Sequence, residues 1–468
     1  MGRGTSVRKD NRGNNWSDDF CSLDGLGARR HCGHSPVRRI LPYALTALGV
    51  TDMPAPRMAG LRALHHPKSG ALLDEALVLR FAAPQSFTGE DMAELHVHGG
   101  LAVTASVLDA LSEIDGLRPA APGDFTRRAV LNGKMDLTAA EAIADLIDAE
   151  GGAQQAQALD QLRGQLRHRA EGWRDSLTAI LAHLEADLEF ADEGLPGGVG
   201  QKALHALPDL QKDLAMQLDD GRGLRLRDGI RIALVGAPNV GKSSILNMLA
   251  GRDAAIVSAR AGTTRDAVEV AMLLAGVPVT LIDTAGLRAA GDDIEREGVR
   301  RAVATADMAD IVILVNAVDT PADDATDDEM KALMARADLH LVNKSDLGDP
   351  PPSGWSFTPP AEAMELSATT GAGAEALVAR LTDLVVEKTG QGGGALVTRQ
   401  RHQTILRDVV NHIGAAQRAA DAAIDGGGGL ELAAEDLRLA QRALGRLTGA
   451  VDVEQLLDVV FADFCIGK

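Results

Sequence analysis

The chain has 468 residues, enough for about three domains at roughly 150 residues each, and its 45% hydrophobic content excludes a fully disordered polymer. With 66 acidic and 47 basic side chains the formal net charge is −19, which excludes an indiscriminate nucleic-acid coat, because phosphate backbones need clustered Lys and Arg. Aromatics at 3% leave few base-stacking platforms, and Cys21, Cys32 and Cys465 are too scattered for a disulfide framework or zinc cluster, so a reducing cytoplasm is expected.

Residues 1–40 hold eight basic and four acidic side chains and no apolar stretch of the kind a secretory signal needs. No run of 18 apolar residues occurs, so neither a membrane-spanning helix nor a membrane partner is expected. From Leu41 to about Asp136, Ala76–Phe81 and Glu94–His98 read as strands and Leu101–Leu111 as a helix, a small α+β unit. From Leu137 the period becomes helical, with Leu177, Ile180, Leu181, Leu184 and Leu188 on one face, and a second helical stretch runs from about Thr398. Between them, about Asp228 to Glu387, short apolar runs alternate with helical patterns. The runs are Ile232–Val235, Val279–Ile282, Ile311–Val315, Leu339–Val342 and Met364–Leu366. They predict a mostly parallel sheet covered on both faces, inserted between two halves of one helical domain.

Gly236-Ala-Pro-Asn-Val-Gly241-Lys242-Ser243 follows the first of these strands and opens a helix at Ser244. That is the strand–loop–helix setting of a G-x-x-x-x-G-K-[ST] phosphate loop, whose backbone N–H groups face phosphates. Asn239, Val240, Gly241, Lys242, Ser243 and Ser244 are the predicted contacts. Lys242 neutralises the β/γ-phosphates and Ser243 ligates Mg²⁺. Asp283, Thr284, Ala285 and Gly286 end a later strand, where they can hold the Mg²⁺ shell and the γ-phosphate. Asn343, Lys344 and Asp346 end another. There a carboxylate can accept both N–H donors of a guanine edge, which adenine does not offer. Ser367, Ala368 and Thr369 can pack over the base. The set points to GTP rather than ATP. Thr264, within Gly262-Thr263-Thr264-Arg265-Asp266, can complete the Mg²⁺ shell only when the γ-phosphate is present. Leu287 stands where signalling GTPases carry a water-positioning Gln, so hydrolysis must use another group or be very slow.

These segments, with Ser86–Asp91, His98–Gly100, Pro122–Thr126, Leu131–Leu137, Asp283–Arg288 and the terminal Phe464-Cys-Ile-Gly-Lys468, resemble the MnmE (TrmE) family of tRNA-modification GTPases. The resemblance covers roughly Pro42 to Lys468. It implies a multidomain fold: an α+β folate-binding and dimerisation domain (42–136), an α-helical domain in two halves (137–227 and 388–468), and an inserted α/β P-loop GTPase domain (228–387). It implies a K⁺ ion held by Asn239, Ser258, Arg260 and Thr263, within a loop of GTP contacts that also includes Ala259 and Ala261. Such a cation does the work of an arginine finger. Glu295 matches the family's water-orienting glutamate, although read alone it is a solvated charge in Asp292–Glu297. Glu94, Lys134 and Lys468 match binding positions for a 5-formyl-tetrahydrofolate, with Cys465 near the one-carbon site. Without the resemblance, Glu94 and Lys134 are surface charges and Cys465 a buried apolar residue. The implied activity is a K⁺-stimulated GTPase that adds a carboxymethylaminomethyl or aminomethyl group to C5 of the wobble uridine of certain tRNAs. The implied assembly is a homodimer joined by an FAD- and NADH-using MnmG (GidA)-type partner in a heterotetramer.

Residues 1–41 depart from the family, whose members open with a strand and then an Arg-bearing segment like Ala-Val-Ile-Arg-Leu-Ser-Gly. His31–Arg39 can be encoded so that a reading one base later gives Ile-Ala-Val-Ile-Arg-Leu-Ser-Gly, and Asp18–Asp24 can likewise conceal Thr-Ile-Phe-Ala-Leu-Ser. This predicts a frameshifted translation up to about Leu41. As written, the segment offers neither the first strand nor the folate-site Arg, and folate binding should be weak. Two rival readings are a ribosome-assembly or regulatory switch GTPase without chemistry on tRNA, and a folate-binding protein whose GTPase is regulatory only.

Overall fold

The computed structural model describes residues 21–24, 37–189, 199–251, 269–283, 303–319, 335–348, 363–390, 394–424 and 429–451, together with 332, 333, 457 and 460. Two compact units emerge. One comprises residues 1–144, 167–174 and 441–468, the other 145–166 and 175–440.

The first unit is built on a four-stranded antiparallel sheet in the order β1-β4-β3-β2, with β1 Cys21–Asp24, β2 Gly60–His65, β3 Leu72–Phe81 and β4 Met92–His96. Strand β1 corrects the expectation that the opening segment supplies none: Cys21–Asp24 pair with Leu95–Met92. Helix α1, Val37–Ala47, runs through Pro42. Helix α2 is Leu101–Ser112, and both helices cover one face of the sheet, where Leu41, Leu45, Leu48, Val78, Ala93, Leu95 and Val107 are buried. Alternation along β4 turns Glu94 and His96 to the opposite face. Helix α3, Asp124–Leu131, and helix α4, Leu137–Asp148, follow, and Leu137, Ala140 and Ala144 bury with Leu457 and Val460.

The second unit holds α5 Gly152–Leu162, α7 Val199–Leu204, α8 Leu207–Asp219 and α9 Arg222–Asp228, and the greater part of α6 Gln165–Glu189. Its six-stranded sheet has the order β10-β9-β8-β5-β7-β6. The strands are β5 Ile230–Val235, β6 Glu269–Leu274, β7 Val277–Asp283, β8 Ile311–Ala317, β9 Leu339–Asn343 and β10 Met364–Glu365. All pairs are parallel except the edge pair β6–β7. Apolar runs recur because both faces are covered. Ile232 and Leu234 pack toward α10, Lys242–Ala250, and α11, Ala374–Thr389, while Ala233 and Val235 pack into a separate core with Val312 and Leu314.

Helix α12, Gln400–Ile424, buries Leu406, Val409, Ile413 and Ala416 at helical spacing and lies against α8, where Gln211 donates to the Val410 carbonyl. Helix α13 is Gly429–Thr448. The segments that lead into and out of the six-stranded module lie side by side: a Cβ on Gly223 would fall 2.3 Å from the Val397 carbonyl oxygen.

Candidate functional site

The phosphate loop hangs between β5 and α10 on two conformations that ordinary residues avoid. Asn239 has φ 62° and Gly241 φ 93°. At Gly236, φ 151°, a Cβ would meet the Val315 carbonyl oxygen at 2.1 Å, so glycine is needed there to let the loop pass β8. Lys242 curls back into this loop, donating to the Gly236 carbonyl at 2.8 Å and the Ala237 carbonyl at 2.9 Å. Burial pulls its ammonium below the usual lysine range, and Asp283 opposes that shift. Ser243 donates to Asp283 Oδ2 at 2.5 Å. Two hard oxygens therefore sit together beside the loop, a donor pair suited to Mg²⁺.

Asn343 ties the phosphate loop to the base loop. Its Nδ2 donates to the Val240 carbonyl at 2.8 Å, and its Oδ1 accepts the Ala368 N–H at 3.1 Å. A Cβ on Gly241 would fall 2.3 Å from that Nδ2, so the glycine also makes room for the strut. Lys344, at φ 62°, donates to both carboxylate oxygens of Asp319, at 2.9 and 2.8 Å. Ser367, fully buried, donates to Asp346 Oδ1 at 2.6 Å, aligning the carboxylate expected to read a base edge. Thr369 lies exposed beyond Ala368, and Ser244 is exposed on the first turn of α10.

Asp319 escaped the sequence reading. The available signal was its place two residues beyond β8, at the carboxyl edge of a parallel sheet where ligands of this fold class collect. Ser258, Ala259, Arg260, Ala261, Gly262, Thr263 and Thr264, then Thr284, Ala285 and Gly286, and Glu295, Cys465 and Lys468 lie outside the described residues. Of the K⁺ positions only Asn239 is described.

In the first unit the family-like loops are drawn together. Ser86 donates to the Glu90 carbonyl, and Asn132 Nδ2 donates to the Thr88 carbonyl at 2.8 Å. Arg128 pairs with Glu90 at 2.9 Å, and Lys134 Nζ donates to the Pro84 carbonyl at 2.8 Å. Glu94 stands half-buried on β4 with His96 Nε2 at 3.2 Å from its carboxylate. Beyond β4, His98 donates its backbone N–H and its Nδ1 to Asp74 on β3, each at 2.8 Å. Burial pushes the Asp74 carboxyl up, but the bonds from His98 and the Glu75 N–H outweigh it and hold the group below its ordinary range.

Two family models match the chain. The MnmE helical domain matches residues 137–465, and the N-terminus of the GTP-binding protein TrmE matches residues 29–134. The chain is 50% identical over 426 residues to the tRNA modification GTPase MnmE of Parvibaculum lavamentivorans, covering 91% of this chain and 94% of that protein. The protein of the same name from Rhodospirillum rubrum is 49% identical over 457 residues, covering 94% and 98%. Among solved structures, the G domain of the T. maritima FeoB iron transporter is 23% identical, with a TM-score of 0.21 over 34% of this chain and 98% of that one. Aquifex aeolicus Era is 22% identical, with a TM-score of 0.23 over 33% and 56%. With one family domain spanning well over half its length and 50% identity across 91% of the chain to a relative covered to 94%, the chain belongs to the MnmE (TrmE) family and is a P-loop GTPase.

Proposed function

We propose that this GTPase uses K⁺-stimulated GTP hydrolysis to support addition of a carboxymethylaminomethyl or aminomethyl group to C5 of the tRNA wobble uridine. It would act as a homodimer with an FAD- and NADH-dependent MnmG-type partner, and with a one-carbon unit from a formyl-tetrahydrofolate. The observation that carries the reading is the closed set Lys242–Ser243–Asp283–Asn343–Asp346 in a chain whose other domains are those of tRNA modification GTPases.

Lys242 would exchange its two carbonyl partners for β- and γ-phosphate oxygens, which also relieves the desolvation of its ammonium. Ser243 would turn its oxygen to Mg²⁺, with Asp283 in the surrounding shell and Thr264 closing it. Asp346, steadied by Ser367, would accept the guanine N–H pair, while Lys344, anchored by Asp319, lies alongside the base. Asn239, already in a left-handed turn, would present its side-chain oxygen to K⁺ together with Ser258, Arg260 and Thr263. That cation would stabilise the charge that develops between the β- and γ-phosphates, and Glu295 would orient the attacking water.

In the first unit, Glu94 faces outward and can accept the amino edge of a pterin, while Lys134 and Lys468 can bind the acidic groups of folate. Cys465 would sit near the one-carbon group. The half-exposed sheet face carries Leu61 and Leu77 as cross-strand neighbours, an apolar pair suited to covering by a second copy.

GTP turnover in K⁺ and in Na⁺, combined with mass spectrometry of tRNA nucleosides from a deletion strain, tests the reading. A rate that rises in K⁺ and a wobble uridine that loses its modification are expected. Equal rates would remove the cation role from Asn239, and an unchanged uridine would favour a switch GTPase with no chemistry on tRNA.

A further inference from the structure

The antiparallel pair β6–β7 joins two places that are distant along the module. At one end, β7 terminates in Asp283, the partner of Ser243, and β6 begins five residues after Thr264. The ladder then runs without slippage from Glu269↔Ile282 to Leu274↔Val277, a stiff span of about 20 Å at the usual rise per residue. At the other end the chain reverses through Ala275 and Gly276, both left-handed at φ 51° and 75°. This tight reversal matches the twist of the flanking strands.

That turn is seated on the start of α5. The Ala153 N–H donates to the Gly276 carbonyl at 3.1 Å. Gly151, in ordinary extended backbone at φ −130°, sits so close that a Cβ would fall 2.0 Å from the Gly276 oxygen and 3.1 Å from Leu273 Cδ2. Nothing in its own dihedrals demands glycine, so only the approach of the hairpin does. At the neighbouring Gly152, an added Cβ would meet nothing within 4 Å.

From this seat α5 reaches both segments that connect the module to the helices. Gln154 Oε1 accepts the Glu150 N–H at 2.8 Å, and its Nε2 donates to the Arg227 carbonyl at 2.8 Å. Gln157 donates to the Gly223 carbonyl at 3.1 Å and Gln161 to the Leu396 carbonyl at 2.6 Å. Asp145 completes the clamp, accepting Arg227 Nε at 2.8 Å and Arg399 Nη2 at 2.6 Å. One helix therefore holds the hairpin tip, the inbound segment and the outbound segment.

We propose that the β6–β7 hairpin transmits the nucleotide state of the GTPase site to α5, with Gly151 and Gln154 as the positioning residues that receive it. Displacement of Asp283 at one end of this stiff ribbon reaches, at the other end, the turn seated on Gly151–Ala153. The glutamine ladder then carries that displacement to Arg227 and Leu396. This inference rests on the reading that GTP turnover serves the rest of the chain, and its first test needs neither tRNA nor folate.

Amide hydrogen exchange of the full chain is compared with GDP and with a non-hydrolysable GTP analogue. The wild type and Gly152→Ala should show a nucleotide-dependent difference over residues 151–162, and Gly151→Ala should lose it while keeping the difference at the phosphate loop. A difference that survives in Gly151→Ala, or is absent from the wild type, overturns the proposal. If Gly151→Ala does not fold, Gln154→Met gives the same reading, because it removes the side-chain amide's hydrogen bonds at similar volume. In the second arm, GTP turnover of Gly151→Ala should stay near wild type while wobble-uridine modification falls by about tenfold, within the range of ordinary coupling between sites. If the exchange result holds but the wild type modifies no tRNA, the transmission stands and the tRNA reading falls.

Discussion

The two candidate sites are prepared for their ligands in opposite ways. In the GTPase module each polar group is already held by another group of the same site: Lys242 by the loop carbonyls, Ser243 by Asp283, Asn343 by Val240 and Ala368, and Asp346 by Ser367. Lys242, Asp283, Asn343 and Ser367 are all buried. In the first unit Glu94 and Lys134 are partly or fully exposed, Glu94 beside His96 and Lys134 on the Pro84 carbonyl. A buried network ties function to stability, because each removal orphans a partner. A surface site lets the two separate.

That contrast can be broken at both ends. Lys242→Ala should have the largest effect, lowering GTP turnover by about a hundredfold or more, the scale for losing one preorganised charge-stabilising donor. Steady-state phosphate release measures it, and near-normal turnover would detach Lys242 from the chemistry. Asn343→Ala leaves the Val240 carbonyl and the Ala368 N–H without their shared partner, so a loss of about 2–4 kcal/mol in urea unfolding is expected alongside weaker nucleotide binding. Stability within experimental error of wild type would show that the strut is dispensable. Glu94→Gln should weaken binding of a reduced folate by about tenfold, as expected for losing one charge-assisted bond, and leave both the melting temperature and GTP turnover unchanged. A fall in turnover would mean that the two sites are less independent than their construction suggests.

The smallest effect is expected at Asp74. Its carboxyl is held below the ordinary value of 3.8, so it contributes stability that is present above that value and is lost as pH falls through the depressed one. Asp74→Asn should therefore be less stable than wild type near neutrality, with the gap narrowing in strong acid. Urea midpoints at neutral and acidic pH check this, and a gap that widens on acidification would reverse the sign.

What the sequence disclosed follows from the same physics. The phosphate loop was legible because its spacing is imposed by backbone geometry at Gly236, Asn239 and Gly241. The strands β5, β7, β8 and β9 were legible because burial on both faces leaves runs of aliphatic residues. Strand β6 was not, since an edge strand with one exposed terminus, Glu269, blends into the polar segment before it. Glu94 and Lys134 became candidates only through family resemblance, because a surface charge with one partner has no distinctive spacing. Gln154, Gln157 and Gln161 were silent for a related reason: uncharged amides at helical intervals look like any solvated face until the carbonyls they bind are in view.

The contact of Gly223 with Val397 has a meaning for gene architecture. A polypeptide that leaves a scaffold and returns beside its point of departure behaves as a cassette. The DNA encoding such a loop can be acquired or exchanged at one locus without parting the helices that it interrupts.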